Sequence, residues 1–293
     1  MSVALRLKEY GSLVAFSHTV FALPFAATAV VLSFGVPHSP LTARRILAML
    51  IAMVAARTSA MAFNRWADRH IDAENPRTRE RHLPAGRVKA AEALALALGS
   101  GLLFIAAAAA LGVVPGVLSP VVLAVLLGYS YAKRFTWAAH AWLGLALSLA
   151  PGGAWIAMGA RPSFAIGSLM TAVVTWLFGF DILYSLQDES FDREHGLHSV
   201  PARFGTIRSL VISAAAHVVT VTALAVTGLL LHRGPAYFVG VSLTTILLCY
   251  EHLLVGKGNL ARIDRAFFDI NAWVSVGFFV FTLVDVCLRA AAF

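Results

Sequence analysis

Two groups of residues have the types and spacing to hold a metal ion against a phosphate. The first reads Asn64-Arg65-Trp66-Ala67-Asp68-Arg69-His70-Ile71-Asp72, with Asn64, Asp68 and Asp72 at i, i+4 and i+8, one face of a helix. The second runs from Asp181 to Asp192, with Asp181, Asp188 and Asp192 at i, i+7 and i+11, again one helix face, and Tyr184 alongside. Carboxylates one turn apart repel unless a cation lies between them. Hard oxygen donors suit magnesium, which takes one or two carboxylates and completes its shell with water and phosphate. Cations follow each group: Arg77, Arg79, Arg81, Arg87 and Lys89 after the first, and Arg193, Arg203 and Arg208 after the second. Taken singly, an acidic helix end is often just solvated, and an isolated arginine reflects charge bias along a membrane chain. Acids and cations repeated together are what a metal-diphosphate complex requires.

The elements that must position these groups are membrane helices. The chain has 293 residues, of which 59% are hydrophobic and 13% charged, with mean hydropathy +0.78; soluble domains carry about 25% charged residues. Stretches long enough for a bilayer core run roughly over Leu13–Phe34, Ile46–Asn64, Ala91–Leu111, Val113–Tyr131, Ala138–Gly159, Phe164–Leu186, Leu210–His232, Ala236–Leu254 and Phe268–Leu288. The expected fold is all-α, a polytopic bundle of about nine spans forming a single domain over 1–293. Both acidic groups start where a span ends, and acids at that depth are costly enough to read as functional.

The net charge of +8 would suggest nucleic acid in a soluble protein. Here the cations cluster in the loops that share a membrane face with the acids, which predicts contact with lipid headgroups, no nucleic-acid partner, and a cytoplasmic amino terminus and site. Arg44, Arg45, Arg161, Arg233 and Arg289 fall opposite, and Arg57 lies inside the second span. Each acidic group is followed by a basic loop closing on proline and glycine, Leu83-Pro84-Ala85-Gly86 and Val200-Pro201-Ala202-Arg203-Phe204-Gly205, which suggests an internal duplication. Pro24 and Pro151-Gly152-Gly153 would interrupt the first and fifth spans. Cys249 and Cys287 read as small buried residues, and His70, His82, His195 and His198 as solvated ones.

These residues resemble the signatures of the UbiA superfamily of intramembrane prenyltransferases, Asn-x3-Asp-x3-Asp and Asp-x3-Asp, the latter extended upstream by Asp and Tyr. The resemblance extends to Arg77-Thr78 with Arg81-His82-Leu83, to Tyr129-x3-Lys133-Arg134-x-Thr136 and to the nine-span count. It implies a bundle around a central cavity, in which Asn64, Asp68, Asp72, Asp188 and Asp192 hold two Mg2+ ions on a polyprenyl diphosphate. Asp181 and Tyr184 would line that pocket, and Arg77, Arg81, Lys133 and Arg134 would contact phosphate. Arg57, seven residues before Asn64, would lie about 10 Å deeper on the same face, where it could bind an acceptor carboxylate or pair with Asp181 or Asp269. Tyr184 and Tyr129 would shield an allylic cation, and His18 could either face the acceptor or simply pack.

The loop sequences look most like the bacterial 4-hydroxybenzoate polyprenyltransferase-like branch, which includes enzymes of the futalosine route to menaquinone. The implied reaction joins a polyprenyl chain to 4-hydroxybenzoate or a dihydroxynaphthoate for ubiquinone or menaquinone, with haem as another acceptor. A multi-span transporter would need its acids near the bilayer midplane. A CDP-alcohol phosphotransferase would need an Asp-Gly opening and a Gly-x3-Asp-x3-Asp continuation, which are absent.

Overall fold

A computed structural model describes residues 9–13, 21–256 and 263–291, with the backbone alone for 263–267. Every regular element among them is helical. In chain order these are α1 (Ala22–Ser33), α2 (Ala43–Ala67), α3 (Arg69–Glu74), α4 (Ala90–Leu111), α5 (Val113–Ala132), α6 (Ala139–Ala157), α7 (Phe164–Ser185), a 3-10 turn (Leu186–Asp188), α8 (Glu189–Glu194), α9 (Val200–Leu230), α10 (Pro235–Gly256) and α11 (Ile263–Ala290).

Seven helices are long and apolar enough to cross a bilayer by length and composition, and the protein is an integral membrane protein. They take up all the expected spans but two. The fifth expected span is the 19-residue α6, which carries His140 and Pro151, and the first is represented by the 12-residue α1. Neither is among the seven, so nine spans are not established. The prolines do not break the helices that hold them: α6 runs through Pro151 and α5 through Pro120. Cys249 and Cys287 are exposed rather than buried, because the spans carrying them turn those faces outward.

The chain divides into two compact units. In the first, Thr42 caps α2 by accepting from the Arg45 N–H. Helix α2 packs along α4 through small residues, with Ala52 and Ala55 meeting Phe104 and Ala107. The Ser59 hydroxyl donates to the Ala97 carbonyl at 2.8 Å.

In the second unit α7 is the central element, packed between α6 and α9. Helix association in lipid relies on close backbone approach and interhelical hydrogen bonds, since lipid is as apolar as the side chains. Both devices are present. A Cβ at Gly144 of α6 would collide with the Val174 carbonyl of α7, and one at Gly179 of α7 would meet the His217 ring at 2.5 Å. Ser213 donates to the Gly179 carbonyl and Ser168 to the Ala223 carbonyl, each at 2.8 Å. Deeper still, the Trp176 indole donates to Asn271 (2.7 Å), whose amide donates to the buried Glu251 (2.6 Å) and so ties α7, α10 and α11 together.

Two outcomes are expected from this packing. Gly144→Ala forces a methyl against a backbone oxygen that cannot rotate away, and should destabilise the protein by about 1–3 kcal/mol. Asn271→Leu strands the Trp176 N–H and the Glu251 carboxyl in an apolar interior, at a cost of about 1–3 kcal/mol. Thermal unfolding of the purified protein in detergent reads both, and an unchanged midpoint would contradict the contacts described.

Candidate functional site

In the first unit the acidic group straddles a helix break. Helix α2 ends at Ala67, and Asp68 (φ −92°, ψ 5°) is the junction residue before the six-residue α3, which carries Asp72. The backbone register survives the break: the Asp68 N–H donates to the Asn64 carbonyl (2.9 Å) and the Asp72 N–H to that of Asp68 (2.8 Å). Asn64, Asp68 and Asp72 therefore keep the shared face expected of them. The Asn64 amide donates to Asp68 Oδ2 at 2.8 Å.

Asp72 is 5% exposed and ion-paired to Arg81, Nη1 lying 2.7 Å from Oδ1. The loop that delivers Arg81 is tied down by Thr78, whose hydroxyl donates to the Asp72 carbonyl (3.0 Å), and by an Asn75 side chain accepting from the Arg77 N–H (2.9 Å). Arg77 itself is exposed. Arg57 lies part-buried on α2 and Tyr129 part-buried on α5. His82 is not solvated as expected: its Nε2 lies 2.7 Å from the Ser12 hydroxyl. Burial, then Arg87, holds its pKa below the ordinary histidine value in spite of Glu9.

The second unit repeats the device. Helix α7 ends at Ser185, a 3-10 turn follows, and Asp188 (φ −101°, ψ 4°) is the junction residue before the six-residue α8, which carries Asp192. Spacing at i, i+7 and i+11 would put Asp181, Asp188 and Asp192 on one face of an unbroken helix; the 3-10 turn at Leu186–Asp188 breaks that register, because it advances each residue by about 120° instead of 100°. Asp188 and Asp192 are 6% and 2% exposed. Lys133 Nζ lies 3.6 Å from Asp192 Oδ2, and Arg134 is exposed. Asp181 Oδ2 is bonded to His140 Nδ1 at 2.6 Å.

Tyr184 stands against Phe268 with ring centroids 5.7 Å apart, and Phe180, Phe21 and Trp176 extend the same aromatic wall. Composition gave no sign of this wall, since phenylalanine in an apolar span is ordinary and Phe268 is 84 positions from Tyr184 in sequence. His140 was missed for a similar reason: no motif spacing links it to Asp181. His18 lies outside the described residues.

Asp72 Oδ2 and Asp192 Oδ2 are buried and have no hydrogen-bond partner. In Asp72 that oxygen stands beside one paired with Arg81, and in Asp192 it faces Lys133 at 3.6 Å, too far for a hydrogen bond; both are expensive arrangements that a bound cation would relieve. Among the described residues no group of three His, Cys, Asp or Glu is placed to hold a metal. Pairs of acids are what magnesium uses when phosphate and water supply the rest of its shell. The residues present therefore fit a magnesium-diphosphate complex and not an all-protein metal cage.

A model of the UbiA prenyltransferase family matches residues 22–279. The chain is 30% identical over 247 residues to a 4-hydroxybenzoate octaprenyltransferase of Nitrosospira multiformis, covering 84% of each chain. It is 31% identical over 230 residues to one of Marinobacter nauticus, covering 78% of each. Among solved structures it is similar to a UbiA homologue of Aeropyrum pernix in its apo form, with TM-score 0.83, 32% identity, and coverage of 92% of this chain and 98% of that one. A UbiA homologue of Archaeoglobus fulgidus bound to GPP and Mg2+ shares the fold, with TM-score 0.69, 20% identity, and coverage of 95% and 99%.

Arg81→Leu should leave the buried Asp72 carboxylate without its counter-charge and destabilise the metal-free protein by about 1–3 kcal/mol. Asp72→Asn in the same chain should recover most of that loss. A double variant no more stable than Arg81→Leu alone would show that the pair contributes nothing.

Proposed function

Because the chain belongs to the UbiA prenyltransferase family, we propose that it transfers a polyprenyl chain from polyprenyl diphosphate to the ring of an aromatic acid, serving quinone biosynthesis in a bacterial cytoplasmic membrane. The relatives named 4-hydroxybenzoate octaprenyltransferase favour 4-hydroxybenzoate as the acceptor. The observation that carries the reading is the repeated device. In each unit a buried aspartate on a six-residue helix lies beside a cation, Arg81 or Lys133, and its Oδ2 makes no hydrogen bond; in Asp72 the cation pairs with the other oxygen, and in Asp192 it faces Oδ2 itself at 3.6 Å.

In this reading Asn64, Asp68 and Asp72, and likewise Asp188 and Asp192 with Asp181 nearby, hold magnesium on the diphosphate. Bound magnesium supplies Lewis-acid neutralisation of the charge that grows on the leaving group. Arg81 and Lys133 exchange their aspartate partners for phosphate oxygens, and exposed Arg77 and Arg134 join them, as charge-assisted donors to an anion. The allylic carbon–oxygen bond then ionises. The Tyr184, Phe180 and Phe268 rings supply π faces that stabilise the allylic cation without capturing it. Arg57 holds the acceptor carboxylate, and Tyr129 contacts the acceptor. An electron-rich ring carbon ortho to the phenol attacks and a proton leaves. In this reading both acidic motifs and the amino terminus face the cytoplasm, a reading the positive-inside bias of the loops supports.

The decisive assay is transfer of a labelled polyprenyl diphosphate by the purified protein in detergent, with and without magnesium, offered 4-hydroxybenzoate and 1,4-dihydroxy-6-naphthoate separately. Product with 4-hydroxybenzoate is expected, abolished by chelation and reduced at least about 100-fold in Asp68→Ala and Asp188→Ala. Arg57→Gln should raise KM for the acceptor more than it lowers kcat. Product with the naphthoate alone would move the chain to the menaquinone branch, and transfer to neither acid would sink the aromatic-acid reading.

A further inference from the structure

His140 is the second residue of α6 and is fully buried. A buried imidazole must find partners for both nitrogens. The Val200 N–H, at the start of α9, donates to Nε2 at 3.2 Å, and Nδ1 lies 2.6 Å from Asp181 Oδ2. A backbone N–H can only donate, so Nε2 carries no proton and the ring's single proton sits on Nδ1. The bond therefore has one direction, with Nδ1–H donating to the carboxylate. It commits Oδ2 of Asp181 and leaves Oδ1 as the oxygen with which this residue can meet a ligand.

Seven residues earlier in the chain, Lys133 does the matching task. Its carbonyl accepts from the His198 N–H at 2.7 Å, and its ammonium lies 3.6 Å from Asp192. The segment from Lys133 to His140 thus grips both ends of the second acidic motif through side chains, and it grips the turn at 198–200 through two backbone N–H groups. A turn held at two points cannot slide against that segment, so the separation of Asp181 from Asp192 is set by this clamp as well as by the 3-10 turn between them.

We infer that His140 is a positioning residue for the prenyl-transfer site, fixing the orientation of Asp181 through a tautomer imposed by the Val200 N–H. Supporting groups of this kind, which orient a ligating side chain without touching substrate, are worth about 10- to 100-fold in activity. The inference rests on the transferase reading above for its kinetic form, and on geometry alone for its structural form.

The test uses His140→Ala, His140→Asn, Asp181→Ala and the His140→Ala/Asp181→Ala double variant of the full chain. In His140→Asn the amide nitrogen takes the place of Nδ1 and keeps a donor for Asp181. His140→Ala should lower kcat about 10- to 100-fold with little change in KM for polyprenyl diphosphate. His140→Asn should restore most of that activity, and the alanine effect should shrink in the Asp181→Ala background. Equal losses in His140→Ala and His140→Asn, additive with Asp181→Ala, would reduce His140 to packing and overturn the inference. If the parent protein transfers to no aromatic acid, the transferase reading fails by itself. The pair is then read from thermal unfolding of the same proteins, where non-additive midpoints support it and additive ones overturn it.

Discussion

A carboxylate carried into the edge of a membrane has to be matched, and that requirement organises this protein. Asp72 and Asp192 are nearly as buried as the aliphatic core, yet each sits beside one cation, Arg81 or Lys133. Removing two charges from water is expensive, and the attraction between them repays the cost only when geometry and additional hydrogen bonds are good. The surroundings fix the geometry of each pair while leaving one carboxylate oxygen without a hydrogen bond. Thr78 and Asn75 shape the loop that presents Arg81, and the His198 bond holds the main chain at Lys133. The long apolar helices in turn provide fixed ends from which the short acidic helices can project.

The same construction occurs once in each unit: a long helix, a break at an aspartate, and a six-residue helix whose fourth residue is the buried acid. Even the backbone angles at the breaks agree, with ψ near zero at both Asp68 and Asp188. This agrees with the internal duplication suggested by the paired Pro-Gly segments, although the expectation of two loops is corrected: Leu83 to Gly86 is a turn, whereas Val200 to Gly205 opens α9, with Gly205 at φ 76°. The two copies differ in how they carry the chain through the break, since the first keeps its i to i−4 bonding and the second inserts a 3-10 turn. The second copy also has Asp181 one helix further back, with a histidine to hold it.

What was legible in the sequence was whatever depends on near neighbours. Asn64, Asp68 and Asp72 declare themselves because four-residue spacing puts side chains on one helix face, and most of the spans declare themselves because lipid demands length. The breaks at Asp68 and Asp188 could not be read, because the apolar pattern ends there and nothing in the acidic run distinguishes a straight helix from a turned one. Long-range polar partners were hidden for a different reason. His140 and Asp181 are 41 positions apart, and Asn271 and Trp176 are 95. Each looks alone like a stray polar residue in an apolar span, and only packing reveals that it has a partner. The exposed cysteines illustrate the converse, since lying within a span does not mean facing the protein interior.

The contrast between α5 and α7 bears on how such a protein can change over time. Only 11% of the most apolar stretch of α5 is buried against protein, whereas 56% is for the segment running from α7 into α8. Lipid asks of a side chain only that it be apolar, so α5 can drift among Leu, Val, Ile and Phe at many positions with little penalty. Helix α7 must also fit backbone atoms and serine hydroxyls on its neighbours, which leaves few single replacements open to it. Adaptation to a new membrane can therefore proceed on the lipid-facing positions of α5, while α7 can change only together with the helices packed on it.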